Sequence, residues 1–341
     1  MHGNKHSFFC ALSLNLDNKI VAYNFTGALY FWDFDANNNT YKSSIISRGH
    51  YNIVTDVVWE PIYGRYLLSC SKDQTTRAYS LYKNKSKNTS SWYEIGRPQI
   101  HGYDINSIAL INNSDLNDNK SKSLVCKLIS ASEEKIIRMF DPPYNIVKYL
   151  NTFNQLNNLS QNKTEDVFVM SYTKSNSEYE KNIVEGSKQM LGLMNKTSVI
   201  NQISTNKEET ADERFDATNF DPTAMLTNKI DNSINYNNEL FTKPPDEDFC
   251  TNHTLWPELN KLYGHSYEVY SIAASNKGDL FASANISKND RYSQLYIWDP
   301  NKNTVLQKLE GHNLTIAQIR FSKDDSLILT VSRGKLIFLY I

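Results

Sequence analysis

The sequence predicts an all-β fold assembled from a repeated unit of short strands, and three observations predict it. First, short runs rich in β-branched and aromatic residues recur between turn signals from about residue 7 to 145, and again from about 254 to the end. Such runs read as strands of about five residues. They include Ile53–Trp59, Tyr66–Cys70, Thr75–Tyr79, Val125–Ser130, Ile136–Phe140, Ile316–Phe321 and Leu327–Val331. Second, neither stretch carries a sustained helical period. Third, a Gly-His dipeptide recurs at Gly49-His50, Gly264-His265 and Gly311-His312, with a reversed His101-Gly102.

Each dipeptide is followed by a strand, a polar turn, a second strand and an aromatic terminus. The termini are Trp32-Asp33, Tyr79-Ser80, Phe140-Asp141, Trp298-Asp299 and Tyr340-Ile341. Gly49 to Tyr79 is 30 residues, Gly264 to Trp298 is 34 and Gly311 to Tyr340 is 29, while Trp298 and Tyr340 stand 42 apart. That period belongs to the four-stranded blades of a β-propeller. About five blades are recognisable. Residues 1–145 are assigned to one partial propeller and 254–341 to a second, separated by 146–253. The intervening segment is rich in Asn, Ser, Lys and Glu with sparse apolar anchors. Such a composition buries too little apolar surface to offset chain entropy, so most of it is expected to be disordered. The apolar island Met190–Met194 is its one candidate docking segment.

Bulk properties exclude several classes. A net charge of -1 over 341 residues gives no general drive toward nucleic acid or an anionic membrane. Mean hydropathy is -0.53 and no apolar run approaches a membrane span. The four cysteines, Cys10, Cys70, Cys126 and Cys250, form no C-x-x-C pair, which favours reduced buried thiols over a zinc knuckle or disulfide framework. Phe8–Leu12 is too short for a signal peptide. The lysine run Lys83, Lys85, Lys87 reads as a solvated loop, and a direct nucleic-acid role would require salt-dependent binding through it.

The Gly-His and aromatic-Asp marks resemble those of the WD40-repeat family. That resemblance implies an imidazole bonded toward an acid in the turn, with the terminal ring packed beneath. The network residues are then His50, Asp73 and Tyr79 in one blade, with Arg77 on the strand between, and His101, Glu134 and Phe140 in the next. His265 with Trp298 and His312 with Tyr340 complete the set. Thr26 and Gly334 stand where the turn acid belongs, and the first unit lacks a Gly-His, so those blades are expected to rely on packing.

Longer segments are more specific. Lys72–Tyr82, Trp92–Ile111, Ile129–Pro143, Met190–Lys196, Lys243–Asp248, Thr254–Ser275 and Gly311–Arg333 resemble, in order, segments of the Elongator complex protein 2 family. Arg-Pro-Gln-Ile-His-Gly-Tyr-Asp and Thr-Leu-Trp-Pro-Glu are not generic repeat features. The resemblance implies a non-catalytic scaffold, cytoplasmic and nuclear. It would hold the large scaffold subunit and the catalytic radical and acetyltransferase subunit of a complex that modifies tRNA wobble uridines, with tRNA contact at most indirect. Family members carry two full propellers, so this chain is expected to be a shortened or partial member with open edges. The rival reading is a propeller adaptor of another assembly, such as a ubiquitin-ligase substrate receptor.

Catalysis finds no support in the motifs. The seven histidines make no H-E-x-x-H, and no G-x-S-x-G elbow, phosphate loop or calcium loop occurs. Glu133 and Glu134 are adjacent on the chain, so a strand would point them to opposite faces. No catalytic residue, cofactor or metal is assigned. Arg97, Tyr103, Trp256, Tyr263 and Tyr267 are the candidate partner contacts, because aromatic and arginine side chains dominate protein interfaces.

Overall fold

The computed structural model describes residues 9–14, 19–35, 37–44, 49–61, 64–84, 89–112, 126–158, 183–188, 195–199, 242–334 and 336–340. Blade one is β1 (Phe9–Leu14), β2 (Ile20–Asn24), β3 (Leu29–Asp35) and β4 (Thr40–Ser44), a four-stranded meander. Blade two is β5 (Val54–Trp59), β6 (Tyr66–Ser71), β7 (Thr75–Asn84) and β8 (Thr89–Ile100). Their strand pairs are all antiparallel.

Blade three departs from sequence order. It begins with β9 (Ile105–Ile111), β10 (Lys127–Ser132) and β11 (Ile136–Phe140). The chain then makes α1 (Tyr144–Asn158), the hairpin β12 (Ile183–Lys188) and β13 (Asn195–Val199), and α2 (Glu247–His253). Only then does β14 (Glu258–Tyr263) pair with β11, Ile136 opposite Tyr263 and Arg138 opposite Lys261, to complete the sheet. Blade four is β15 (Val269–Ala274), β16 (Phe281–Asn285), β17 (Leu295–Asp299) and β18 (Thr304–Leu309), and blade five is β19 (Ile316–Phe321), β20 (Ile328–Ser332) and β21 (Ile337–Tyr340).

The all-β class and the five blades are thus present, but their grouping differs from the expected pair of partial propellers. The first strands β1, β5, β9, β15 and β19 contact one another in succession, so the blades form one continuous series. The boundary expected at 254 falls inside blade three. A polar inner-strand side chain bridges each neighbouring pair. Tyr23 Oη donates to the Thr55 carbonyl (3.5 Å), Thr55 Oγ1 to Ile105 (2.6 Å), Asn106 Nδ2 to Val269 (3.0 Å) and Ser271 Oγ to Ile316 (3.0 Å).

Apolar side chains fill the spaces between blades. Val21, Tyr23, Leu29 and Phe31 of blade one meet Val57, Trp59, Tyr79 and Trp92 of blade two. Leu68, Cys70 and Ala78 then meet Ile105, Leu128 and Phe140, and Ile129, Ala131 and Met139 meet Ile272, Phe281 and Trp298. Stripping each strand of one alternate set of side chains would empty one such layer, which is why the period-two pattern specifies the stack.

The segment 146–253, expected to be mostly disordered, carries regular structure at both ends. Ile146, Tyr149, Leu150 and Phe153 stand at i, i+3, i+4 and i+7, and all four are buried in the layer between blades two and three. That spacing is one apolar face of a helix, carried by a sequence whose Asn content masks it. Asp246 caps α2 by accepting from the Phe249 N–H (2.9 Å), and Cys250 is buried beneath it. Met190–Met194 lies outside the described residues, as do Lys85 and Lys87.

Candidate interaction surface

The turns that follow the Gly-His positions meet the turns of neighbouring blades along one rim. Backbone bonds run around it: His101 N–H to Gln74 O (2.8 Å), Glu133 to Asp104 (2.9 Å), Val269 to Glu134 (2.9 Å), Ile286 to Glu268 (2.8 Å) and Thr315 to Ser287 (3.1 Å). Gln74 sits in the left-handed region at φ 67°, which tightens the turn that receives blade three. The rim is a single hydrogen-bonded chain of loops.

Beneath it, blades two and three share a polar tetrad. In blade two His50 Nδ1 lies 2.9 Å from Asp73 Oδ2 and Nε2 lies 2.6 Å from Ser69 Oγ. Arg77 follows, with Nη2 3.7 Å from Asp73 and Nη1 3.4 Å from Glu94 on the outer strand. In blade three His101 Nδ1 accepts from the Tyr103 N–H (2.9 Å), which leaves Nε2 to carry the proton toward Glu134 Oε1 at 2.6 Å. Arg138 bonds Glu134 (2.9 Å) and the outer-strand Glu258 (3.1 Å). Each tetrad is therefore His, turn acid, Arg four residues on, and an outer-strand Glu. The two histidines face their turn acids with opposite ring nitrogens.

Electrostatics follow from this alternation. Burial pushes the Asp73 carboxyl up, but bonds from His50, Thr75 and the Tyr51 N–H hold it well below the carboxylate range. Burial likewise raises Glu134, and His101 with Arg138 overcome it to hold the group at about 2. Glu258 is raised by burial despite Arg138. Burial keeps His50 low and neutral.

Blades four and five use hydroxyls instead. His265 Nε2 and Trp298 Nε1 both lie 2.7 Å from Ser283 Oγ, and His312 Nε2 lies 2.7 Å from Thr330 Oγ1. Burial lowers His265 to about 4. Tyr79 and Phe140 are buried at their blade termini, whereas Tyr340 is half-buried and donates to the Glu310 carbonyl at 3.3 Å. In blade one Asn24 Oδ1 takes the place of a turn acid, accepting from Thr26 Oγ1 (2.7 Å) and the Thr26 N–H (3.1 Å). Gly27, at φ 83°, lets the His50 loop approach closely, for a Cβ there would stand 2.2 Å from His50 O.

Two of the five candidate partner contacts are inside the protein, and their assignment is corrected. Arg97 is buried, with Nε 2.7 Å from Glu94, Nη2 2.7 Å from Glu247 and Nη1 3.0 Å from Thr251. Its N–H donates to Thr254 Oγ1 (2.8 Å). Trp256 is fully buried between blades two and three, its N–H bonded to Pro98 O (2.9 Å). Both residues fasten the returning segment 247–256 along the outer edge of β8. Tyr103, Tyr263 and Tyr267 are exposed on or beside the rim. Tyr51 is exposed there too, its hydroxyl donating to Glu247 (2.7 Å) and its ring 5.0 Å from the Arg77 guanidinium. Lys135 lies 5.8 Å from the Tyr267 ring, and Tyr292 packs edge-on to it at 5.1 Å. An exposed tyrosine thus stands two residues or fewer after each blade-opening histidine in blades two, three and four.

The outer-strand glutamates were missed in the sequence although a signal exists. Trp92-Tyr93-Glu94 and Trp256-Pro257-Glu258 are the same W-x-E, and Asp73-to-Arg77 repeats as Glu134-to-Arg138. Elsewhere, the inner strands line an open cleft of about 320 Å³ beside Asp56, Trp59 and Arg320. Asp56 is engaged there by Ser107 Oγ (2.7 Å) and the Ile108 N–H (3.2 Å), so its carboxylate is a blade-to-blade tie.

Comparison with known proteins agrees with this geometry. The WD domain, G-beta repeat family matches residues 256–299 and 303–340. Elongator complex protein 2 of Homo sapiens is 29% identical over 337 residues, covering 98% of this chain and 36% of the human protein. The same protein of Drosophila melanogaster is 32% identical over 341 residues (99% of this chain, 37% of the relative), and that of Arabidopsis thaliana is 31% identical over 325 (93% and 34%). The chain is a WD40-repeat relative of Elongator complex protein 2. It spans little more than a third of the length of those relatives. Among the described residues no helix is long and apolar enough to cross a membrane.

Proposed function

We propose that the chain is a non-catalytic scaffold of the Elongator complex, presenting rigid blade surfaces to the large scaffold subunit and to the subunit that carries the radical and acetyl-transfer chemistry on tRNA wobble uridines. The observation that carries this reading is the alignment with Elongator complex protein 2 over 93–99% of the chain. Such a scaffold works in the cytoplasm and nucleus and touches tRNA at most indirectly. Partners dock on the tyrosine rim, where Tyr103 and Tyr267 offer large rigid contact area at low entropic cost.

Affinity purification of the chain from its source cell tests the proposal. Recovery of Elongator subunits supports it, and Tyr103→Ala with Tyr267→Ala then lowers that recovery several-fold while thermal stability holds. Recovery of ubiquitin-ligase components without any Elongator subunit refutes it in favour of an adaptor of another assembly.

A further inference from the structure

We propose that Glu247 couples the rim to the returning segment: Tyr51 and α2 exchange stability through its carboxylate, so a partner that takes the Tyr51 hydroxyl loosens α2. The consequence for docking rests on the scaffold reading given above. Tyr51 is 74% exposed, against 45% for Tyr103 and 41% for Tyr267. A ring so exposed gains little from burial and loses rotamer freedom when fixed. It is nevertheless held at its backbone, its ring and its hydroxyl. The Tyr51 N–H donates to Asp73 Oδ2 (3.0 Å), the ring centre lies 5.0 Å from the Arg77 guanidinium, and the hydroxyl donates to Glu247 Oε1 (2.7 Å).

These contacts close a cycle. Arg77 Nη1 lies 3.4 Å from Glu94 Oε2, and the other oxygen, Oε1, takes Arg97 Nε at 2.7 Å. Arg97 Nη2 then reaches Glu247 Oε1 at 2.7 Å, the same oxygen that accepts from Tyr51. Arg77, Glu94 and Arg97 are buried, whereas Glu247 stands half-exposed at the surface. One carboxylate oxygen therefore serves two donors, one from the rim and one from the interior. Charged hydrogen bonds in a low dielectric polarise one another, so a donor lost at the exposed end weakens the hold of the carboxylate on the rest.

The far side of the cycle is the returning segment. Glu247 opens α2, and Arg97 donates further along it, to Thr251 Oγ1 (3.0 Å) and through its N–H to Thr254 Oγ1 (2.8 Å). Asn145 Nδ2 donates to the His253 carbonyl (3.1 Å) and the Phe249 and Tyr149 rings meet edge-on at 6.1 Å, so α2 also holds α1. Blade three is the comparison within the same chain. It repeats the tetrad, Arg138 with Glu134 and Glu258, and it has a rim tyrosine, Tyr103. There the tyrosine N–H goes to His101 instead of the turn acid, and the residue three after Glu258 is Lys261 where blade two has Arg97 three after Glu94. The cycle is thus an addition to blade two, at the place where the segment returns. A coupling free energy is reciprocal, so whatever steadies α2 also steadies the Tyr51 loop.

Hydrogen–deuterium exchange of the full chain is the test. Tyr51→Phe keeps the ring and removes the hydroxyl, which does to Glu247 what such a partner does. The Phe249 and Cys250 amides, both bonded to Asp246, should then exchange about two- to fivefold faster, the range of a solvent-exposed charged contact, with the melting curve unchanged. Tyr103→Phe, on the rim but outside the cycle, should leave them as they are. Glu247→Ala should speed exchange of the Tyr51 amide, and in that background Tyr51→Phe should add nothing at α2. Unchanged exchange at α2 in Tyr51→Phe overturns the proposal, as does an effect that persists without Glu247 or that Tyr103→Phe reproduces. All of these are read on the chain without a partner, so they stand apart from the affinity purification that tests the scaffold reading.

Discussion

Replacing Arg97 by methionine keeps most of the side chain's volume and removes its charge, and the structure allows the loss to be apportioned. The guanidinium has one fully buried acid partner, Glu94, at 2.7 Å, and one half-exposed partner, Glu247, also at 2.7 Å. Removing one member of a buried pair costs about 3–5 kcal/mol because the remaining charge is left in low dielectric. Glu94 keeps Arg77 at 3.4 Å, which places the cost near the lower figure. The exposed Glu247 pair adds no more than about 1 kcal/mol. The expected loss is therefore about 3 kcal/mol, or about 6–12 °C in Tm at about 2–4 °C per kcal/mol. Urea unfolding at constant m measures it. A double-mutant cycle with Glu94→Gln should recover at least about 1 kcal/mol of coupling. Limited proteolysis should also cut between 242 and 254 faster in the variant, since Arg97 holds Glu247, Thr251 and Thr254. A loss below about 1 kcal/mol, or strictly additive effects, would refute the inference that Arg97 is an internal clamp.

Three further outcomes are expected. His265 is neutral in the fold with its pKa lowered to about 4 from an ordinary 6.5, so the unfolded chain takes up its proton first as pH falls. The stabilisation is complete above 6.5 and disappears toward 4, by about 3 kcal/mol at 1.36 kcal/mol per unit, and His265→Gln should flatten that part of a stability-against-pH curve. Glu134, held at about 2 from an ordinary 4.5, contributes stability that is present above 4.5 and lost as pH falls to about 2; Glu134→Gln should remove that acid limb. Burial raises the thiols of Cys70 and Cys126, so neither should react with a thiol reagent at neutral pH before unfolding, as stopped-flow labelling in increasing denaturant would report.

Much of the architecture was legible because propeller blades repeat locally. Strands at Thr75, Ile136 and Ile316 begin where alternation and turn residues place them, and the histidines sit one residue either side of a glycine. What failed was the link across a long segment. Pairing of β11 with β14 is non-local, and no short-range pattern in residues 136–140 points to 258–263. The helix at 144–158 was obscured by composition even though four apolar residues keep a helical spacing. Arg97 and Trp256 carry the side chains that interfaces favour, yet those same chemistries favour buried clamps. Burial of Glu94 decided between the two, and burial depends on α2 arriving from 150 residues away.

The strand that completes blade three emerges from synthesis more than a hundred residues after the one it pairs with, Phe140 against Glu258. During that interval β11 presents an unpaired edge, the state most prone to mispairing. Lengthening the intervening segment changes the equilibrium cost little, since doubling a loop adds only about 0.6 kcal/mol. Its effect falls on time instead. Blade three, and the blade four layer built on Ile129 and Met139, must wait for that return. The insertion thus sets a long interval between β11 and its partner strand, and Ile146 and Phe153 lie buried against blades two and three within it.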